Sequence, residues 1–140
     1  MDSAPLSASQ WIVRGCLLLV AAIALTGGPL QMYLGEPETT PRLDNLHRFL
    51  AGIYLGCGLI CLWAAITVRQ QGALVFLIAL TVFLAGSGRL LSMSIVGVPE
   101  PHGVWLGYLV PELLLPILMA GAHFSTRRRA TVPAVLRTAS

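Results

Sequence analysis

Four apolar runs, Trp11 to Leu34, Leu46 to Val68, Ala73 to Met93 and Val104 to His123, take up most of this 140-residue chain. They constrain the fold more than any motif does. Each has about the ~20 residues that a helix rising ~1.5 Å per residue needs to cross ~30 Å of hydrocarbon. In hydrocarbon every backbone N–H and C=O must be satisfied, and a helix does this within one segment. Only 11% of the residues are charged, against about 25% in an average soluble domain, too few to face water all round. The expectation is an all-α, four-helix transmembrane bundle with spans at about 11–34, 46–68, 73–93 and 104–123. A short tail, 1–10, precedes the spans and a basic tail, 124–140, follows them. With no soluble domain in view, function is expected to reside in the bundle.

The charges give a topology. Arg127, Arg128 and Arg129 follow the fourth run, Arg69 follows the second, and Arg14 lies near the start of the first. Glu36, Glu38 and Asp44 fall in the first loop and Glu100 in the third. By the positive-inside rule both termini and the 69–72 turn are cytoplasmic, although Arg42, Arg48 and Arg89 run against the count. The formal charge of +3 therefore reads as a topology anchor and a contact for anionic lipid, not as a nucleic-acid surface. The first run has an arginine, an apolar stretch and "AAIA", as a signal peptide would. It continues apolar to Leu34, so a retained span is expected. A lipoprotein reading at "VRGC" fails on Arg14, where a small or apolar residue is wanted.

Smaller features point to packing. Cys57 and Cys61 stack four apart on one helical face, and with Cys16 they read as small buried hydrophobes, since no C-x-x-C is present. No internal repeat suggests a transporter. "TGGPL", Thr26 to Leu30, predicts a kink or an early helix end. Asp44 reads as the cap of a helix starting near Asn45. Gly52 and Gly56 form G-x-x-x-G, a close-packing face that also permits a homo-oligomer.

The chemistry lies in charges placed within apolar runs. Arg89 stands about six residues, or ~9 Å, from the outer end of the third span, with Ser92 on nearly the same face. Gly86 and Gly88 there leave room for a neighbouring backbone. In the fourth span Trp105, Tyr108 and Glu112 follow i, i+3, i+7 as one stripe, with Glu112 ~12 Å deep and flanked by Pro111 and Pro116. In the second span Asn45 and Arg48 share the Gly52–Gly56 stripe, which turns Arg48 toward the bundle. A charge at mid-span costs ~2.5–3.5 kcal/mol on insertion scales, so these groups are expected to pair. The expectation is an outward-facing pocket in which Arg89 pairs with Glu112, completed by Arg48, Asn45, Ser92 and Tyr108. Two arginines against one glutamate leave it net positive, suited to a carboxylate, phosphate or lipid headgroup.

Two structural readings compete. The Arg–Glu bridge can simply fix helix register, or the arginines can snorkel to the headgroups. A metal site from His47, His102 and Glu112 lacks ligand spacing, since His47 faces away from Arg48. No nucleophile lies beside a base. Glu112 as a general acid or base is an open enzymatic alternative that nothing specific demands.

At "NLHRFLAGIYLGCG", "GSGRLLSMSIVGVPEP" and "PELLLP" the chain resembles a bacterial family of small four-helix membrane proteins defined as a domain of unknown function. That family is similar in turn to the DoxX-like group. The features are Asn45 and Arg48 opening the second span, Arg89 and Ser92 closing the third, Gly97 and Pro99 in the loop, and Glu112 in the fourth. The resemblance implies a multi-pass protein of the bacterial inner membrane. By analogy of fold it also implies an accessory subunit of a quinone-linked or redox membrane complex. The partners expected are the bilayer, an anionic lipid, a quinone or a small anionic ligand, and a homo-oligomer or larger complex.

Overall fold

A computed structural model describes residues 5–35 and 38–138, with side chains as far as residue 129. All the regular structure among the described residues is helical: α1 Ala8–Leu34, α2 Pro41–Ile66, a 3₁₀ turn Val68–Gln70, α3 Ala73–Val96 and α4 His102–Thr138. All four α-helices contain segments long and apolar enough to cross a membrane. Large apolar side chains stay on the surface along them, among them Leu59 and Trp63 of α2, Leu77 and Leu84 of α3, and Ile117 of α4, which is 63% exposed. In water such a surface would be penalised at about 25 cal/mol per Å²; against lipid tails it is not.

Three of the four helices, α1, α2 and α4, start earlier than the apolar runs suggest. Before α1, Ser7 and Gln10 form a capping box: the Gln10 N–H donates to Ser7 Oγ at 3.3 Å, and the Ser7 N–H to Gln10 Oε1 at 2.9 Å. Helix α2 starts at Pro41, not near Asn45. Thr40 is its N-cap, accepting from the Leu43 N–H at 3.4 Å, and Pro41 has the preset φ of a first helical residue. The cap expected at Asp44 is thus corrected. Asp44 lies in the first turn, where its carboxylate suits the helix dipole.

Two segments run on as helix. Gly27, Gly28 and Pro29 do not end α1, which continues to Leu34. Pro29 removes the one backbone bond that would reach the Leu25 carbonyl, and the helix runs through it. The basic segment expected as a tail from 124 remains helical to Thr138.

The helices fall into two compact units. One holds α1 from Arg14 onward with α2. Its α1–α2 contact is made where Gly28 lies against the Leu55 backbone and Gly58 against Ala24 and Leu25. Small buried residues, Ala21 and Ala24 of α1 and Ala51, Ala64 and Ala65 of α2, suit the close approach of helices in lipid. Gly52 and Gly56, the expected packing face, are not part of it: among the described residues a methyl at either would meet nothing within 4 Å.

The other unit holds α3 and α4 with the chain up to Val13. Val75, Ala79 and Met119 are buried in it. Near one end His123 Nε2 lies 2.9 Å from the Gly72 carbonyl, with its ring edge-on to Phe76 at 4.9 Å. Beside it Thr126 Oγ1 donates to Ser9 Oγ at 2.7 Å. At the opposite end Gly97, at φ +95°, closes α3 with its N–H on the Met93 carbonyl.

Candidate functional site

Arg89 and Glu112 meet across the α3–α4 contact in a two-pronged bridge. Nε donates to Glu112 Oε2 at 2.9 Å and Nη2 to Oε1 at 3.0 Å. This fork-to-fork geometry is the strongest that an arginine and a carboxylate make. The side chains are 29% and 16% exposed, so the pair is half-buried and neutral as a unit. Gly86, one turn before Arg89, makes the approach possible. A Cβ there would stand 2.9 Å from Glu112 Cβ and 3.1 Å from Leu113 Cδ2. Gly88 has no such part, with nothing among the described residues within 4 Å of an added methyl.

The stripe on α4 converges on the same guanidinium. Arg89 Cζ lies 5.5 Å from the Trp105 ring centroid and 5.8 Å from that of Tyr108, both within cation–π range. Trp105 is held in turn by its indole N–H, which donates to the Glu100 carbonyl at 3.3 Å. The loop supports that position: the Val104 N–H donates to the Pro101 carbonyl at 3.1 Å, and His102 Nδ1 lies 3.2 Å from the Pro99 carbonyl.

Beside the pair is an open cleft of about 320 Å³, lined by Ala85, Arg89, Ser92, Met93, Pro99 and Trp105. The lining is mixed: a guanidinium and a hydroxyl together with a thioether, a proline ring and an indole. Arg89 and Ser92 bring hydrogen-bond donors to its wall. Such a surface can hold an oxygen-rich head while apolar groups cover the rest.

Of the six residues expected in the pocket, the structure groups Arg89, Ser92, Tyr108 and Glu112 in one unit. Arg48 and Asn45 belong to the other. There Arg48 Nε donates to Asp44 Oδ2 at 2.9 Å, and Nη1 donates to the Met32 carbonyl at the end of α1. The Arg48 side chain is 44% exposed and Asn45 is exposed, which corrects the expectation that this stripe turns inward. Arg48 instead ties α2 to α1. Gly35 makes room for it: at φ +62° it takes the left-handed conformation that ends α1, and a Cβ would run into Arg48 and Asp44. The expected surplus of two arginines over one glutamate therefore changes, since Asp44 balances Arg48.

Met93 and Pro99, which line the cleft, were not legible as site residues. Met93 stands four residues after Arg89 on the same face of α3, but an apolar residue in an apolar run carries no signal of its own, and Pro99 is brought in by the loop after Gly97. His123, at the far end of the same helix pair, had no signal beyond being a polar residue closing an apolar run.

The family model described as Domain of unknown function (DUF4345) matches residues 8–123, which include all four apolar runs and every residue of the cleft, and the chain belongs to that family. Neither a curated protein nor a solved structure matches the chain.

Proposed function

We propose that this member of the DUF4345 family is a multi-pass protein of the bacterial inner membrane, with both termini inside, that binds a small amphipathic molecule in the Arg89–Glu112 cleft from the outer side. The reading rests on one observation: a fork-to-fork ion pair between two span-like helices, flanked by Trp105 and Tyr108, opens onto a cleft of mixed lining. At about 320 Å³ the cleft lies near the small end of ligand sites, the size of a headgroup and not of a whole lipid. The exposed apolar surface of the helices would take the rest of the molecule.

Native mass spectrometry of protein extracted with its own lipids tests this. Wild-type protein is expected to retain a small amphiphile that Arg89→Gln retains several-fold less. Equal retention by the two would turn the reading toward a second one, favoured by the bidentate geometry itself, in which the pair only locks α3 to α4. An accessory subunit of a larger membrane complex would instead emerge bound to other proteins, with Arg89→Gln making no difference to retained lipid.

A further inference from the structure

We infer that Glu112 is an internal stand-in for the ligand's own headgroup, so that a carboxylate-headed amphiphile enters the cleft together with one proton. This rests on the binding reading above and adds the class of ligand and the charge rule that governs it.

The argument starts from the fork. A guanidinium presenting Nε and Nη2 to a planar carboxylate is already arranged as it would be for a ligand of the same shape, and Glu112 holds that arrangement at 2.9 and 3.0 Å. Trp105 and Tyr108 flank the guanidinium at 5.5 and 5.8 Å, which orients the fork. Ser92 and the open side of the cleft lie next to the same arginine. The resident pair is neutral and lies between two helices long and apolar enough to cross hydrocarbon, where net charge is disfavoured. An anion added beside Arg89 would make the site net negative. A proton on Glu112 restores neutrality and weakens its hold on the fork, freeing the geometry for the incoming carboxylate. No bond is made or broken beyond that protonation: the proton comes from solution and resides on Glu112 while the ligand is bound.

The groups that face Glu112 are few. Arg89 stands on α3, and Tyr108 precedes it by one turn on α4. Glu100 on the connecting loop and His102 at the start of α4 lie 3.8 Å apart, both well exposed. Glu112 is held by the arginine fork through two hydrogen bonds, so the proton is assigned to it and not to His102.

The test uses full-length protein in nonionic detergent with decanoate and decanesulfonate as probes, the latter ionised at every pH used. Calorimetric titrations in buffers of different ionisation enthalpy count protons directly. Wild-type protein is expected to take up about one proton per decanesulfonate bound, with affinity falling by up to about tenfold per pH unit between pH 6.5 and 8.5. Glu112→Gln is expected to take up none and to bind at pH 8 at least about tenfold more tightly, with no pH dependence. His102→Gln should leave the proton count unchanged. Binding that needs Arg89 but carries no proton, or a proton count that vanishes in His102→Gln, overturns the inference and leaves the binding reading standing. If neither probe binds at any pH, the binding reading falls and this inference with it. Should Glu112→Gln not purify, the wild-type proton count decides alone, and zero is the overturning result.

Discussion

Gly86 and Glu112 face each other across the α3–α4 contact with no room for a methyl group between them: a Cβ on Gly86 would stand 2.9 Å from the Glu112 Cβ and 3.3 Å from its carbonyl carbon. The second distance matters because backbone cannot rotate out of the way. The position of the carboxylate that holds Arg89 is therefore set by a glycine one turn from the arginine on the opposing helix.

Gly86→Ala is expected to force α4 outward at Glu112 and destabilise the protein by about 1–3 kcal/mol, the usual range for overpacking. Gly88→Ala, two residues on with open space at its Cβ, should be neutral or slightly stabilising because alanine favours helix. Thermal unfolding of the two variants in the same detergent makes the comparison, and equal losses would mean that helix flexibility, not the Gly86–Glu112 contact, is what the glycines supply.

The Arg89–Glu112 bridge is half-buried, so its energetics lie between two limits. Breaking a fully buried pair from one side costs about 3–5 kcal/mol, whereas an exposed pair is worth about 0–1 kcal/mol. For Arg89→Met and Glu112→Leu singly a loss of roughly 1–3 kcal/mol is expected, discounted for the exposure of both side chains. The double variant should lose less than the sum, because no unpaired charge remains in the apolar segment. A double-mutant cycle by thermal or denaturant unfolding reads this directly; additive losses would show that the two residues act independently.

How far the sequence foretells these contacts depends on the kind of physics involved. The four helices were legible because length and apolarity alone answer the demand of hydrocarbon for satisfied backbone. The bridge was legible because a charge in a span needs a partner, and because Trp105, Tyr108 and Glu112 fall on one stripe. Arg48 was misread because periodicity gives a face but not the neighbour on it. Its actual partners are Asp44, one turn back, and a backbone carbonyl of α1, which no side-chain pattern announces. The start of α2 was misplaced for another reason. Thr40 and Pro41 are the stronger start signal, but they precede the apolar run by a turn, and the reading followed the run.

The same limit separates the glycines of the other helix pair. Gly52 and Gly56 have the spacing of a packing motif, yet a methyl on either meets nothing within 4 Å among the described residues. Gly28 and Gly58 have no motif but carry the contact, each with a neighbour 3.0 Å from an added Cβ. Gly28→Ala and Gly58→Ala are expected to lose about 1–3 kcal/mol each. Gly52→Ala and Gly56→Ala should change stability by no more than about 0.5 kcal/mol either way. Unfolding midpoints rank the four; a large loss at Gly52 or Gly56 would reveal a neighbour on that face, such as a second copy of the chain, and crosslinking across the face would then identify it.

Topology decides which compartment reaches the cleft. Arg89 lies seven residues before the end of α3, or ~10 Å along the helix, on the side of the loop that holds Pro99. The arginines at 69 and 127–129 cluster at the other end of α3 and α4, and positive charge favours the cytoplasmic side. These two placements together support the proposed outward cleft. In a background with Cys16, Cys57 and Cys61 replaced by alanine, Val98→Cys on the α3–α4 loop should react with a membrane-impermeant maleimide on intact cells. Gln70→Cys, on the turn before α3, should react only after the membrane is opened. The reverse pattern would turn the cleft to the cytoplasm and make any ligand an internal one. Labelling of both in intact cells would show that this helix pair does not cross the bilayer.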